Sequence, residues 1–320
     1  MLITDERWYS EIASAIRTLG LYSESYSPSQ MASEILGLPI RANANYFADS
    51  LAVGVIGSSV LIGNSATHVV SRAFYENAVV SIVMYPRVSD IGSSAFQGCS
   101  VLGVAKFPRC LAVGNSTFFN CTSLSVVELP KCVTLGLYAF SGCTRLGNAS
   151  FPSCASVGSM TFANCTSLSM ASLPVCSYVG VSAFVGCSSL ESAYIPACEV
   201  ISNYAFYRCS SLSDVTADAC GVIGSYAFGG CENLQSIRLP ACGSMASRAF
   251  YGCVRLTRVD LTGVSSVPFL YNSSVFMSTP IAGYLDHVSD YGSIYVGGTM
   301  YSAFIADSKW SVFSERIVAV

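Results

Sequence analysis

The chain has few charged residues and no basic cluster. Asp, Glu, Lys and Arg make up 11% of its 320 residues, and the formal net charge is −3. Binding to nucleic acid or to an anionic membrane requires concentrated positive charge, so neither is an expected partner. The chain has only two histidines and no Cys-x-x-Cys pair. Clustered ligands of the kind that bind zinc are therefore missing, and we expect no metal and no cofactor.

Long uninterrupted apolar runs are also missing. The most membrane-like stretch, residues 50–71, contains no charged residue, but Gly and Ser break its apolar part. A bilayer-spanning helix needs about 20 apolar residues, so we interpret this stretch as buried protein and expect no membrane insertion. The first residues, MLITDERWYS, are acidic where a secretory signal has a basic start followed by an apolar run. No standard signal peptide is therefore expected.

Residues arranged for catalysis are missing as well. His68 and His287 have no fixed acidic partner, because Asp286 is only a neighbour in sequence. Gly297 and Gly298 lack the helix and the lysine of a phosphate-binding loop. The many serines fall at turn and surface positions, with no visible base to activate them. The sequence predicts a protein that is not an enzyme.

What the chain does contain is cysteine and phenylalanine at fixed spacing. Phe recurs every 22 residues, at positions 74, 96, 118, 140, 162, 184, 206, 228 and 250. Cys recurs every 11 residues, at positions 99, 110, 121, 132, 143, 154, 165, 176, 187, 198, 209, 220, 231, 242 and 253. Together they define a unit [AT]-F-x-x-C-x-x-L. Self-similarity at a period of this size is typical of solenoid proteins.

The second half of the unit indicates which solenoid this is. Residues 102–110 read L-x-x-A-x-F-x-x-C and residues 124–132 read L-x-x-V-x-L-x-x-C, as in leucine-rich repeats. The alternating segment predicts a short parallel strand whose apolar side chains face inward and stack about 4.8 Å apart. One inward column runs from Val83 to Val259, and the next runs from Tyr85 to Leu261. A Pro after most strands ends the pairing, and a Gly four residues before most of the repeated Phe residues indicates a tight return.

The full motif, I-G-x-x-A-F-x-x-C-x-x-L-x-x-[IV]-x-[LF]-P, resembles the BspA-like, or Treponema-type, leucine-rich repeat family. The resemblance covers residues 69–261 and implies adhesion to extracellular matrix proteins or to another cell surface. Three departures are local. Asn77 and Val88 replace cysteines in the first repeat, and Asp218 replaces a proline, so we expect looser packing in those repeats.

The cysteine spacing is compatible with three roles. Two ladders of buried thiols, Cys99 to Cys253 and Cys110 to Cys242, are favoured because a thiol packs as a small apolar group. Regular disulfides are disfavoured, since neighbouring strands keep Cβ atoms about 4.8 Å apart and an odd count leaves one cysteine over. Metal binding lacks clustered ligands. Fifteen free thiols favour assembly in a reducing compartment.

The two ends depart from the repeat. Residues 1–40 predict two helices, an amphipathic one over 5–20 and a second after Ser27, which form a cap or an attachment segment. The string I-A-x-A-I-R … P-x-x-M-A-x-E-I within residues 8–38 resembles a segment of phage and prophage tail-associated proteins. Residues 41–68 are a divergent connecting region, 69–262 the repeats, and 263–320 a C-terminal cap. Residues 293–320 predict strand, helix and strand, with Tyr301, Phe304, Trp310 and Phe313 as apolar anchors.

The expected fold is thus an α/β leucine-rich-repeat solenoid with parallel strands on its concave face. Outward strand positions, in columns that begin at Val104 and Lys106, vary between repeats. Such variation is compatible with recognition, and drift on a solvated face explains it equally well. The predicted ligand-binding residues on the concave face are Tyr194, Asp214, Arg238, Arg258, Asp260, Lys106 and Glu128.

A second candidate surface is a set of aromatic residues on the convex side, for which packing under the turns is the alternative. Its members are Phe119, Tyr138, Tyr204, Tyr207, Tyr226 and Tyr251. The predicted function is recognition or adhesion, with a protein or a surface glycoconjugate as ligand, at a cell surface or on a virion. The alternative is a cytoplasmic protein-interaction scaffold, which the thiols and the lack of a visible signal peptide favour.

Overall fold

The structure is a computed structural model that describes the backbone of residues 53–56 and 60–63 and all atoms of residues 66–283 and 292–320. Within these ranges the chain forms a parallel-strand β-solenoid of about 11 turns. The predicted N-terminal helices, the phage-like segment and His287 lie outside the described residues.

Strands are short and recur in every turn of the solenoid. In chain order they are β1 (Val53–Ile56), β2 (Val60–Gly63), β3 (His68–Val69), β4 (Ile82–Met84), β5 (Asp90–Ile91), β6 (Val104–Lys106), β7 (Ala112–Val113), β8 (Val126–Glu128), β9 (Thr134–Leu135), β10 (Asn148–Ser150), β11 (Ser156–Val157), β12 (Met170–Ser172), β13 (Tyr178–Val179), β14 (Ser192–Tyr194), β15 (Val200–Ile201), β16 (Asp214–Thr216), β17 (Val222–Ile223), β18 (Ser236–Arg238), β19 (Ser244–Met245), β20 (Arg258–Leu261), β21 (Phe269–Leu270), β22 (Ser293–Val296) and β23 (Ile317–Ala319).

The strands form two ladders. The long-strand ladder consists of the even-numbered strands with β1 and β23 at its ends, and its hydrogen bonding is interrupted between β8 and β10. From β2 to β20 the pairing is parallel with a 22-residue offset, as in Ala149 opposite Ala171 and Ala171 opposite Ala193. Strands β1 and β2 are antiparallel, and β22 and β23 pair in parallel at offsets of 35 and 23 residues. The short-strand ladder consists of the ten two-residue strands β3 to β21. The sequence analysis predicted a tight return at these positions but did not predict a second ladder of strands.

Glycine in the return is required by the close approach of neighbouring turns. A Cβ atom on Gly92 would collide with the backbone of Ser71 in the preceding turn, and a Cβ on Gly180 would lie 2.7 Å from the carbonyl carbon of Gly158. Backbone stacked this closely leaves no space for a side chain. The predicted return is therefore as tight as the glycine pattern indicated.

A continuous stack of phenylalanine rings forms the centre of the core. From Phe74 to Phe250 neighbouring rings are nearly parallel, with centroids 5.0–5.4 Å apart. Phe276 extends the stack at 5.6 Å, although it follows Phe250 by 26 residues. The two predicted inward columns of the long strands lie beside this stack and are buried, apart from the half-buried Val127. The inward assignment is confirmed.

The fifteen cysteines are free and buried. In the first ladder, each thiol from Cys99 to Cys253 donates to the carbonyl of the Phe 25 residues earlier, at 3.0–3.2 Å. In the second ladder, each thiol from Cys110 to Cys242 donates to the carbonyl two residues later, at 3.1–3.7 Å. The preferred role, two ladders of buried thiols, is confirmed.

The C-terminal end is closed by β22, helix α1 (Tyr301–Ala306), a 3-10 helix at Ser311–Arg316 and β23, with two further 3-10 helices at Ser273–Phe276 and Pro280–Ala282. Strands β22 and β23 continue the long-strand ladder. Trp310 is fully buried, and its Nε1 donates to the carbonyl of Pro268 at 2.6 Å. Because α1 is the one α-helix among the described residues, the α/β class is a correction: this part of the chain is a β-solenoid with a small mixed end.

Candidate ligand-binding face

Five of the seven predicted binding residues lie on neighbouring strands of the long-strand ladder. Tyr194 ends β14, Asp214 begins β16, Arg238 ends β18, and β20 carries both Arg258 and Asp260. Because alternate residues of a strand face opposite sides, all five lie on the outer side of the ladder. The register fixes their order along the solenoid, since Thr216 pairs with both Tyr194 and Arg238, and Asp260 pairs with Arg238.

Arg258 is held in place by two contacts. Its guanidinium carbon lies 3.8 Å from the ring centroid of Tyr295, and Nη2 lies 3.2 Å from Oδ2 of Asp260. A guanidinium over an aromatic face is attracted by the negative charge density of the ring. Both contacts restrict a side chain that otherwise samples many rotamers. The Arg258 side chain is therefore held in one orientation by contacts within the chain.

The pKa of the Asp260 carboxyl is lower than that of an ordinary aspartate. Partial burial by itself raises the pKa of this carboxyl, but hydrogen bonds from Thr262 and from Arg258 outweigh that effect and lower the pKa. The Thr262 backbone N–H and hydroxyl both donate to Oδ1, at 3.1 and 2.8 Å. The ion pair with Arg258 thus persists at pH values below those at which an ordinary aspartate is protonated.

Arg238 is paired with a carboxylate that sequence analysis did not assign to this face. Its Nη1 lies 2.7 Å from Oδ1 of Asp218, and both side chains are more than half exposed. Tyr194 is 48% exposed, and Asp214 is exposed. Among the described residues Asp214 has no ion-pair partner.

We call the set Tyr194, Asp214, Asp218, Arg238, Arg258, Asp260 and Tyr295 the strand-face patch. Asp218 and Tyr295 were missed by sequence reasoning. The signal for Asp218 was the replaced proline itself, because a charged residue stands where other repeats keep an apolar one. Tyr295 lies on β22, beyond the last regular repeat, so no repeat spacing pointed to it.

The two remaining predicted residues lie apart from the patch. Lys106 on β6 and Glu128 on β8 form their own ion pair at 2.6 Å, on adjacent strands. Beside them Val104, predicted to face outward, is buried, and so are Ile82 and Met84 on β4. Val104 thus lies on the outer side of the ladder, as predicted, but it is buried rather than solvated. Glu128 on the same face is 46% exposed.

Burial disfavours the thiolate form of fourteen of the fifteen cysteines. Burial raises the pKa of every cysteine from Cys110 to Cys253, to about 12 for Cys110, Cys132 and Cys165. A hydrogen bond with Cys121 lowers the pKa of Cys99, which is fully buried.

Within residues 66–283 and 292–320, no three His, Cys, Asp or Glu side chains are grouped to hold a metal. No described helix is long and apolar enough to cross a bilayer.

Comparison with known proteins agrees with this geometry. A model of the BspA type leucine-rich repeat region matches residues 57–169, 106–213 and 199–278, which together span more than half of the chain. The chain belongs to the BspA-type leucine-rich repeat family. No curated protein matches the chain.

Several solved structures are similar to this BspA-type chain. A leucine-rich cell surface protein from Faecalibacterium prausnitzii A2-165 is 17% identical, with 83% of this chain and 98% of that chain covered and a TM-score of 0.34. The T. pallidum leucine-rich repeat protein is 20% identical, with 61% and 91% covered and a TM-score of 0.41. A leucine-rich repeat protein from Bacteroides ovatus ATCC 8483 is 16% identical, with 86% and 100% covered and a TM-score of 0.36.

Proposed function

We propose that this solenoid is a non-enzymatic recognition module that binds a protein or a surface glycoconjugate through the strand-face patch. The observation that carries the proposal is the gathering of exposed Tyr, Arg and Asp side chains on four adjacent strands, β14 to β20. Membership of the BspA-type repeat family supports it, because extended repeat surfaces commonly bind other molecules.

The composition of the strand-face patch suits a binding surface. Tyr and Arg are enriched among the residues that dominate interface energies. Tyr194 offers a large exposed ring, and Arg258 is already oriented by Tyr295 and Asp260. A side chain ordered before binding loses less conformational entropy on binding. Asp214, which lacks an ion-pair partner among the described residues, offers a carboxylate to a cationic or hydroxyl-bearing group.

We place the module in adhesion, at a cell surface or on a virion. The BspA-type repeats support the first setting, and the likeness of residues 8–38 to phage tail-associated segments supports the second. A cytoplasmic interaction scaffold is the second candidate, and the fifteen free thiols support it, because such thiols persist most readily in a reducing compartment.

The test is binding of the full chain to intact bacterial cells and to immobilised matrix proteins. The variant carries Tyr194→Ala, Arg238→Ala and Arg258→Ala together, and a matched control carries Asn148→Ala, Ser150→Ala and Met170→Ala, which are exposed on the same ladder. We expect saturable binding that the variant loses and the control keeps, with both melting temperatures close to that of the original chain.

Two results would count against the proposal. Unchanged binding of the triple variant, or equal loss in the variant and in the control, would mean that binding does not depend specifically on the strand-face patch. Absence of saturable binding to cells and to matrix proteins would reject the adhesion setting and favour the scaffold.

A further inference from the structure

Four tyrosines from three consecutive turns form a cluster away from the strand-face patch. Tyr204 and Tyr207 follow β15, Tyr226 follows β17, and Tyr251 follows β19. Tyr204 and Tyr226 are stacked, with centroids 5.2 Å apart. Tyr207 meets both edge-on at 5.5 and 6.0 Å, and Tyr251 meets Tyr226 edge-on at 5.7 Å. With Arg208 and Arg248, we call this cluster the tyrosine ridge.

The fold itself does not require these tyrosines. The positions of Tyr204 and Tyr207 are occupied by Ser94 and Gln97 in an earlier turn, and by Ser182 and Val185 in the preceding one. Those turns keep the same ladder pairing and the same stacked core phenylalanines. Packing under the turns therefore does not account for the aromatic rings, and Tyr204 and Tyr251 remain 38% and 37% exposed.

Gly229 allows the rings to lie close to the solenoid surface. A Cβ atom there would lie 2.9 Å from Cδ2 of Tyr207 and 3.2 Å from Cδ1 of Tyr226. Tyr207 and Tyr251 hold the equivalent position in the flanking turns. Gly229, which lies between Tyr207 and Tyr251 in this column, thus leaves room for the tyrosine rings to pack against one another.

Two arginines give the ridge positive charge that no described carboxylate neutralises. The guanidinium of Arg208 lies 5.3 Å from the ring centroid of Tyr207, and that of Arg248 lies 5.7 Å from the ring centroid of Tyr226. Arg248 also donates to the Tyr226 hydroxyl at 2.6 Å. Both arginines are exposed, and neither forms an ion pair with any described residue. Arg238 and Arg258 on the strand-face patch, by contrast, are both paired.

We propose that the tyrosine ridge is a second binding surface, and that its partner is an acidic, extended polypeptide segment. Guanidinium groups that lack a carboxylate within the chain are matched by carboxylates from outside it. Tyr and Arg, together with Trp, are enriched among the residues that contribute most to protein–protein affinity. The sequence span of the ridge, residues 204–251, contains three acidic residues. Asp214 and Asp218 belong to the strand-face patch, which leaves Glu232 as the one further carboxylate in the span, so an acidic segment meets little repulsion.

The ring geometry favours a peptide over a sugar. A sugar ring stacks on an open aromatic face, but Tyr204 and Tyr226 cover one face of each other, and their other neighbours approach edge-on. The ridge extends over two strand spacings of about 4.8 Å each, roughly the length of three extended residues. A short peptide segment therefore contacts all three turns.

The experiment starts from a displayed library of random twelve-residue peptides selected on the full chain. Peptides are then counter-selected on the Arg208→Ala/Arg248→Ala variant, and the affinity of the enriched peptides is measured by fluorescence polarisation. Arg72→Ala is the matched control, because Arg72 lies 4.3 Å from the ring of Tyr75 in the first repeat. In parallel, the chain is tested on an array of neutral and acidic oligosaccharides.

We expect the enriched peptides to be rich in Asp and Glu. They should bind the double arginine variant at least roughly tenfold more weakly, about 1.4 kcal/mol. A Tyr204→Ser/Tyr251→Ser variant should weaken them similarly, while Arg72→Ala and the triple strand-face variant leave the affinity unchanged. The last comparison separates this surface from the strand-face patch. Enrichment of neutral peptides, equal binding to the double arginine variant, or binding of acidic oligosaccharides alone would overturn the proposal.

Discussion

The carboxylate of Asp218 lies 2.7 Å from the guanidinium of Arg238, which is contributed by the next turn of the solenoid. Most repeats have proline where Asp218 stands, so an ion pair between turns takes the place of a chain-stiffening residue. The long-strand ladder also has fewer paired residues here. Strands β16 and β18 pair only through Thr216 and Arg238, whereas β14 and β16 pair through three residues of each strand. At this turn, fewer strand residues are paired, and an ion pair between Asp218 and Arg238 lies on the exposed face.

Replacing Asp218 by proline tests how much the Asp218–Arg238 ion pair contributes to stability. We expect Asp218→Pro to change the free energy of unfolding by no more than about 1 kcal/mol, because exposed ion pairs contribute little and a compatible proline stiffens the unfolded chain. Urea denaturation of Asp218→Pro, Arg238→Ala and the double variant measures this directly. A coupling energy of several kcal/mol between the two positions would show that the pair is structural.

The cysteine ladder is expected to tolerate a hydroxyl but not a charge. Cys165 is fully buried, and its thiol donates to the carbonyl of Phe140 at 3.1 Å. Cys165→Ser keeps a donor of similar size, whereas Cys165→Asp places a carboxylate where no cation is available. We expect the aspartate variant to lose roughly 3–5 kcal/mol, or to fail to fold, and the serine variant to lose far less. Equal melting temperatures for the three chains would refute the buried ladder.

Alkaline pH is expected to destabilise the solenoid strongly. An unfolded cysteine has a pKa of about 8.5, whereas burial raises the pKa of Cys132, Cys154 and Cys198 to about 12. Between these values the unfolded chain releases protons that the folded chain retains. The contribution of these thiols to the free energy of unfolding is therefore fully present below about pH 8.5. It falls as pH rises towards the folded-state pKa, by up to about 1.4 kcal/mol per pH unit for each thiol.

The measurement is the melting temperature from pH 7 to pH 10.5 under reducing conditions. A variant with serine at Cys154 and Cys198 should show a shallower decline, because it has two fewer thiols to ionise on unfolding. A melting temperature that does not change across this range would contradict the assigned burial.

Much of the solenoid could be predicted from the sequence because each turn repeats the same local requirement. The 22-residue spacing, the inward columns and the buried thiols each depend on one residue type recurring at one position, and a single chain displays that directly. The short-strand ladder was missed because two residues are too few to show alternation. Its signal was a third apolar column at the same spacing, from Val69 and Ile91 to Ile223 and Met245.

The parts that could not be predicted depend on contacts outside the repeat. Nothing in the spacing relates Tyr295 to Arg258, because β22 joins the ladder only after an irregular segment. Phe276 likewise enters the phenylalanine stack four residues late. For the residues proposed to bind a ligand, the face of the ladder and the charges could be predicted from the sequence. Only the structure shows that Lys106 and Glu128 neutralise each other away from the rest.

The C-terminal end is expected to control where unfolding begins. Trp310 is fully buried, donates from Nε1 to the carbonyl of Pro268 at 2.6 Å, and contacts Phe276, Phe304 and Phe313. Trp310→Phe retains most of the packing but leaves a buried carbonyl unpaired, at a cost of about 1–3 kcal/mol. Trp310→Ala also leaves a cavity and should cost roughly 3–5 kcal/mol.

Because each turn of the solenoid contacts only its neighbours, the loss of Trp310 should loosen the adjacent strands first. Hydrogen exchange should therefore accelerate in β20, β22 and β23 before it changes in β10 or β12, and uniform acceleration along the chain would argue against a local closing role.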